Sequence, residues 1–291
     1  MATTSLDLTV WHDRRVLISD EQLGELAGRL AGISGVVGVM LGGSRARGEH
    51  TPESDVDLGL YYRPALDVAA LGELAREVAG PEAKVTAPGE WGPWVDGGGW
   101  LSVAGTAVDW LYRDLDRVHA AWRDAETGDF SFHAQVAHPL GVPNFAYAGE
   151  VALGVVLADP TGELTELHRV TGHYPQRLGQ ALITGLWEAS FLIANARKAV
   201  SRGDTTYVAG CLFRAVGICA HALHGHAGRW LINEKGAVAS AARLPGAPPD
   251  FAARAHGVLA RLGADSDELS IALDAAAALV HDVTAACQPY Q

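Results

Sequence analysis

The chain has 291 residues, of which 48% are hydrophobic and 19% charged, so it resembles an ordinary globular protein with apolar side chains enough for two cores. Its net charge of −12, with basic residues dispersed along the chain, argues against nucleic acid as a partner. The sequence shows no secretory leader and no charge-free apolar run of about 18 residues, so we expect a cytoplasmic protein with no membrane partner.

The first predicted elements are a helix, a buried strand and a glycine turn. Ser19 and Gln22 have the spacing of a capping box, and apolar residues then recur at helical intervals, which predicts a helix over residues 20–32. The run Val36–Leu41 is β-branched and ends in Gly42-Gly43. It predicts a buried strand followed by a turn.

A second strand follows the loop of residues 48–53. Three apolar residues alternate with three polar or small ones: Val56, Leu58 and Leu60 with Asp55, Asp57 and Gly59. This alternation predicts a strand with one apolar and one polar face. An amphipathic helix is expected over residues 67–79, stopped by Gly80-Pro81.

Further along the chain, strand patterns give way to helical ones. Residues 81–100 are rich in Gly, Pro and Trp, strands are expected at 100–103 and 107–112 around the turn at Gly105-Thr106, and a helix at 114–125. From about residue 164 only helical patterns occur. We therefore predict an α+β protein with a mixed-sheet domain over residues 1–150 and an all-helical bundle over 151–291.

The polar face of the second strand carries a pair of acids. Asp55 and Asp57 point the same way, with Cα atoms about 6–7 Å apart. Two carboxylates that project together repel each other, and Mg²⁺ ions are the natural compensation. Gly43 and Ser44, at a turn after a buried strand, have backbone amides suited to phosphate. A bare Asp-x-Asp on a solvated strand face is the alternative, but the glycine turn and the apolar face argue against it.

The run from Leu41 to Leu58, LGGSRARGEHTPESDVDL, resembles the signature of the polymerase-β-type nucleotidyltransferase superfamily. That resemblance implies a mixed sheet with flanking helices, two Mg²⁺ ions on Asp55 and Asp57, and a third acid on a nearby strand. Asp109 fits the third position because it lies in the next β run. Asp114 and Asp116 are rivals, although they fit better in the first turn of the following helix.

The resemblance implies transfer of a nucleoside monophosphate, which we expect to be AMP from ATP, to a hydroxyl group of a small molecule. The two-part layout is similar to that of the antibiotic (aminoglycoside and lincosamide) nucleotidyltransferases, which implies an aminoglycoside-like acceptor and a homodimer as hypotheses. Arg47, together with the Gly43-Ser44 amides, would orient the phosphates. The alternatives are an antitoxin-like protein adenylyltransferase and a nucleotide-binding module without turnover.

The helical half contributes further candidates. One helix is predicted over residues 175–202, and its polar stripe includes Glu188, Lys198 and Arg202. If this stripe faces the carboxylates, Lys198 or Arg202 would hold the triphosphate and Glu188 would take the proton of the acceptor hydroxyl. Glu150 competes with Glu188 for the role of general base. A solvated helix face is the alternative for the whole stripe.

Three tryptophans stand just before Asp109. Trp91, Trp94 and Trp100 lie in a glycine-rich segment that also contains Glu90 and Asp96. Aromatic faces beside carboxylates suit a cationic or sugar-like acceptor. Rigid packing of an irregular loop explains the same residues and is slightly favoured.

Overall fold

The structure is a computed structural model that describes residues 18–51 and 53–288. Residues 1–17 of the predicted first domain, Pro52 of the signature run and residues 289–291 lie outside the described part.

A five-stranded mixed sheet forms the centre of the first half, in the spatial order β3-β4-β2-β1-β7. The strand bounds are β1 Val36–Leu41, β2 Val56–Tyr62, β3 Gly98–Val103, β4 Thr106–Asp114 and β7 Val155–Ala158. β2 and β4 are parallel, and the other neighbouring pairs are antiparallel. The predicted α+β class, with flanking helices and a helical C-terminal region, is confirmed.

Alternation along the strands gives the sheet two different faces. The apolar face packs against helices α1 (Asp20–Ala31) and α3 (Val68–Ala79), and its central strands contribute Val56, Leu58, Leu60, Val108, Trp110 and Tyr112. Ser19 and Gln22 form the predicted capping box at the start of α1. The opposite face carries Asp57 and Asp109, both partly exposed. One buried face thus fixes the side of the sheet on which the polar residues lie.

The chain between the two predicted halves contains structure that the sequence patterns did not indicate. After α4 (Leu115–Thr127) come a hairpin, β5 (Phe132–Gln135) and β6 (His138–Pro143), then α5 (Ala146–Leu153) and α6 (Glu163–Thr171) around strand β7. β7 pairs with β1 at the edge of the sheet, and α6 packs into the same core as Met40 and Tyr61. Strand β7 and helix α6 therefore pack with the sheet of the α/β part.

The second half is helical, as predicted, but its first helix is divided. The helix predicted over 175–202 forms α7 (Gln176–Thr184), α8 (Leu186–Arg197) and a 3-10 turn at Val200–Arg202. Gly185 separates α7 from α8, at a residue whose helix propensity is about 1 kcal/mol below that of alanine. The remaining helices are α9 (Thr205–His226), α10 (Ala237–Ala242), α11 (Phe251–Ala260) and α12 (Ser266–Ala286).

Helix α9 is the centre of the bundle. It packs against α7, α8, α10, α11 and α12. By length and composition, α9 and α12 would each be able to cross a membrane, but they pack against each other in the helical core. The three cysteines, Cys211, Cys219 and Cys287, are free thiols buried in this core.

Replacement of Leu164 tests whether α6 belongs to the α/β core. Leu164 is fully buried and its side chain covers the Cα of Gly38 in β1. We expect Leu164→Ala to lower the free energy of unfolding by about 2–5 kcal/mol in urea titrations. As a control, Ile271→Ala, at a side chain that is mostly exposed, should change it by less than about 0.5 kcal/mol. An equal effect of both would contradict this packing.

Candidate active site

The two best-placed carboxylates lie side by side on neighbouring strands. Asp57 on β2 is the register partner of Asp109 on the parallel strand β4. Their Cα atoms are therefore about 5 Å apart, with both side chains on the polar face of the sheet. Asp55 precedes β2 by one residue, and it lies near enough for its charge to raise the pKa of both Asp57 and Asp109. The structure thus brings the three predicted acids together.

The glycine turn is shaped around the Asp57 carboxylate. β1 ends at Leu41, the amide of Gly42 donates to the Asp57 carbonyl (2.8 Å), and a four-residue helix, α2 (Gly43–Ala46), follows. Gly43 has φ of +61°, and a Cβ there would lie 1.7 Å from Oδ2 of Asp57. Only glycine fits at this position, because the backbone is left-handed and the carboxylate occupies the space of a side chain.

Two arginines of the same turn have different partners. The Arg45 guanidinium donates to the carbonyl oxygens of Ser54 (2.8 Å) and Asp55 (3.1 Å), and so ties α2 to the loop before β2. Arg47 is paired with Glu49 (3.0 Å), and its charge also lowers the pKa of Asp57. Ser44 is half-buried in α2, where the first amides of a helix have no intrahelical acceptor. Gly43, Ser44 and Arg47 therefore lie together beside Asp57.

The carboxylates disfavour each other's ionised form. Burial raises the pKa of Asp57, and the charges of Asp55 and Glu150 raise it further. Burial and the charges of Asp57 and Asp55 raise the pKa of Asp109 to about 6. Such shifts are typical of functional sites, because a protein rarely holds like charges together on a half-buried surface without a use for them.

Glu150 joins this group through a buried arginine. On α5, its carboxylate pairs with the Arg113 guanidinium at 2.5 and 2.8 Å. The Arg113 side chain is only 8% exposed, donates to the carbonyl of Tyr112 (2.8 Å) and lies over the ring of Tyr147. The Arg113 charge lowers the pKa of Asp57. The pair therefore places one acid and one compensating cation beside the carboxylates.

Sequence reasoning missed Arg113, although a signal was present. Asp109, Leu111 and Arg113 share one face of β4, so the spacing already directed the arginine to the side of the acids. Its burial depends on α5 and on the loop before β3, neither of which the sequence patterns resolved.

The candidates from the helical half lie in a different environment. Glu188 is on α8 and pairs with Arg214 of α9 at 2.5 Å. Lys198 caps α8 and donates to Asn195 (3.0 Å), while Arg202 ends the 3-10 turn; both are exposed. α8 packs against α7, α9 and α12. Of the two predicted bases, Glu150 is the one whose charge acts on Asp57.

The rival acids have structural roles. Asp114 is the N-cap of α4 and accepts from the amides of Asp116 and Arg117. Asp116 pairs with Arg63 at 3.0 Å. Both have partners in capping and ion pairing, as expected for the first turn of a helix. Asp109 remains the acid in register with Asp57.

The donor set fits a divalent cation that a nucleotide brings with it. Within residues 18–51 and 53–288, no three His, Cys, Asp or Glu side chains converge as a ready-made metal cage. Mg²⁺ is usually held by one or two carboxylates together with substrate phosphates and water, so a complete protein cage is not required. The raised pKa values of Asp57 and Asp109 indicate negative charge in excess of what Arg47 and Arg113 neutralise. A divalent cation would supply the missing positive charge.

Comparison with known proteins agrees with this geometry. Residues 23–86 match the family model described as a nucleotidyltransferase domain, a segment that runs from α1 through the glycine turn, Asp55 and Asp57 to the loop after α3. This segment is therefore similar to a nucleotidyltransferase domain, and the predicted resemblance to the polymerase-β-type superfamily is confirmed. Asp109 and Glu150 lie beyond the matched segment.

Among solved structures, the chain is similar to a nucleotidyltransferase-like protein from Exiguobacterium sibiricum. The two are 14% identical, with a TM-score of 0.44, over 86% of this chain and 70% of the other. A similarity this low supports no further conclusion. No curated protein matches the sequence.

Alanine substitutions at Gly43 and Gly48, which both have positive φ, distinguish the steric clash with Asp57 from backbone strain. Gly43→Ala should abolish binding of MgATP, because the new methyl group would displace the Asp57 carboxylate. Gly48 has φ of +68° with open space where a Cβ would stand. Gly48→Ala should therefore cost only about 1–2 kcal/mol of backbone strain and retain binding in calorimetric titrations. Equal binding by both variants would contradict the close approach of Gly43 and Asp57.

Removal of one negative charge should stabilise the metal-free protein. The pKa of Asp109 is about 6 in the folded state and about 3.9 in the unfolded state. Protonation of Asp109 therefore contributes fully to the free energy of unfolding below about pH 4, and this contribution is lost as the pH rises through about 6. In EDTA at pH 7.5 we expect Asp109→Asn to raise Tm by about 2–4 °C. The difference should shrink at pH 5, where the wild-type side chain is largely protonated. A lower Tm for the variant at pH 7.5 would contradict the proposed repulsion between Asp109 and the neighbouring carboxylates.

Proposed function

We propose that the protein transfers a nucleoside monophosphate, AMP from ATP, to a hydroxyl group of a small molecule. The observation that carries the proposal is the row formed by the Gly43 turn, Asp57 and Asp109 on one face of the sheet. It sets an amide-rich turn beside carboxylates whose pKa values are raised, which suits a metal-bound triphosphate. The family match of residues 23–86 supports nucleotidyl transfer in general.

In the proposed reaction, the acceptor oxygen attacks the α-phosphorus of the nucleotide. The bond from that phosphorus to the bridging β-phosphate oxygen breaks, and pyrophosphate leaves with its electron pair. Asp55, Asp57 and Asp109 would hold Mg²⁺, which supplies charge neutralisation at the phosphates when bound. The amides of Gly43 and Ser44 orient the phosphates with Arg47, and catalysis is mainly positioning and electrostatic stabilisation.

The acceptor proton needs a base, and Glu150 is the better-supported candidate. Its charge reaches Asp57, and Arg113 fixes its position through two hydrogen bonds. The carboxylate is 30% exposed, so it retains access to solvent and to a ligand. Glu188 remains the alternative base, with Lys198 and Arg202 as further phosphate ligands if the helical half closes over the site.

The setting that we propose is a cytoplasmic enzyme without nucleic-acid or membrane partners. The net charge of −12 supports a small or cationic acceptor, such as an aminoglycoside-like compound, rather than a polyphosphate chain. A homodimer is part of this hypothesis only by resemblance to the antibiotic enzymes. Sedimentation would test it.

Label transfer tests the proposed reaction directly. With α-labelled ATP, Mg²⁺ and a panel of aminoglycosides and hydroxylated metabolites, the wild type should move label to at least one acceptor. Asp57→Asn should abolish transfer, and Glu150→Gln should lower kcat by about 10²–10⁴-fold. The amide oxygen of the glutamine would still accept one of the two hydrogen bonds that Arg113 donates to Glu150. Glu188→Gln is the matched control and should lower kcat far less.

Other outcomes would select the alternatives. A +AMP adduct on a co-purifying protein, found by mass spectrometry, would point to an antitoxin-like protein adenylyltransferase. MgATP binding without transfer to any small molecule or protein would point to a binding module. Loss of activity in Glu188→Gln but not in Glu150→Gln would identify Glu188, and not Glu150, as the general base.

A further inference from the structure

The three tryptophans before Asp109 have different environments. Trp94 is partly buried, stacks on His133 at 4.0 Å and meets Tyr147 edge to face, so it packs the loop. Trp100 on β3 stacks on Trp91 with ring centres 4.3 Å apart and planes 13° apart, yet 70% of its surface is exposed. One face of the Trp100 indole is therefore covered by Trp91, and the other is open to solvent.

The backbone of Trp91, whose ring supports Trp100, is held by hydrogen bonds. Its carbonyl accepts from the Gln135 side chain (2.6 Å), which in turn accepts from the amide of Trp94 (3.0 Å). The Trp91 amide donates to the carbonyl of Asp96 (3.1 Å), whose carboxylate accepts from Tyr62 (2.8 Å). A loop fixed in this way holds the Trp91 ring against the indole of Trp100, so that a ligand would meet an ordered surface at little entropic cost.

Strand register places this indole beside the carboxylates. Trp100 is directly opposite Asp109 in the antiparallel pair β3–β4, and Asp109 is in register with Asp57. Paired residues project from the same face of a sheet, so the three side chains form a row across the strands at intervals of about 5 Å. Gly43 lies at the other end of this row, against Asp57.

The order Gly43, Asp57, Asp109 and Trp100 along this row places the nucleotide phosphates and the acceptor at opposite ends in the proposed reaction. The phosphates are expected at the Gly43 end, and the attacking oxygen must approach phosphorus roughly in line with the leaving pyrophosphate and from the opposite side. Trp100 lies across Asp109 from the glycine turn. A ring stacked on Trp100 is therefore on the acceptor side of the carboxylates.

The chemistry around the indole favours a particular acceptor. Its open face suits the C–H face of a saturated ring and attracts cations. The neighbouring charges are negative: Asp109 is opposite on β4, and the exposed Glu90 precedes Trp91. On the basis of the proposed function, we propose that Trp100, backed by Trp91, is the binding platform for the acceptor, a hydroxylated ring compound that carries amino groups.

Direct binding tests this platform without turnover. Calorimetry would use tobramycin, a polycationic hydroxylated ring compound, and methyl α-glucoside, a neutral one. Wild type should bind tobramycin more tightly than the glucoside, and Trp100→Ala should weaken tobramycin binding by about tenfold or more. Trp100→Phe should recover most of the affinity. Trp187→Ala, at a tryptophan of α8 that is 65% exposed, is the matched control and should bind like wild type.

Each contrary result overturns a stated part of the proposal. Absence of tobramycin binding to the wild type, or equal affinity for the glucoside, would overturn the cationic acceptor class. Unchanged affinity of Trp100→Ala for tobramycin would overturn the binding platform. If Trp100→Ala weakened the binding of MgATP but not that of tobramycin, the indole would contact the nucleobase and not the acceptor. Trp100-dependent tobramycin binding without any label transfer would instead refute the proposed reaction and leave the binding site in place.

Discussion

The site depends on repulsion among carboxylates that the sheet holds on one face. Strand alternation buries Val56 and Leu58 on one side, and this forces Asp57 to the other, where parallel pairing sets Asp109 beside it. Burial and mutual charge raise the pKa of both acids. The apolar core thus stabilises an arrangement that is electrostatically unfavourable, and a divalent cation, as proposed, would relieve the repulsion.

Several neighbouring features follow from this constraint. The backbone of Gly43 approaches so closely that it leaves no room for a Cβ, which places the amides of the turn next to Asp57. Arg113 supplies a buried positive charge and holds Glu150, because an arginine so deeply buried requires a hydrogen-bonded partner. On the other side of Asp109, Trp100 carries an exposed aromatic surface. The row thus joins a glycine turn with free amides, a pair of carboxylates and an aromatic side chain.

Much of this arrangement was predictable from the sequence because it is local. The capping box at Ser19, the strand Val36–Leu41 and the alternation around Asp57 depend on neighbours within a few residues. The register of Asp57 with Asp109 and the pair of Arg113 with Glu150 depend on partners 52 and 37 residues away, respectively. Strand β7 was not predicted, because four residues of an edge strand carry little pattern. The single helix over 175–202 was wrong because Gly185 interrupts a continuous apolar pattern.

Proton release on binding of Mg²⁺ and nucleotide would measure the repulsion at Asp109 directly. Calorimetric titrations at pH 6 in two buffers of different ionisation enthalpy measure how many protons leave the protein. Since the pKa of Asp109 is about 6, we expect release of roughly half a proton at pH 6 and almost none at pH 8, beyond that of the nucleotide itself. Asp109→Asn should lose this release. No net release from the wild type at pH 6, or the same release from Asp109→Asn, would show that Asp109 does not hold a proton that the cation displaces.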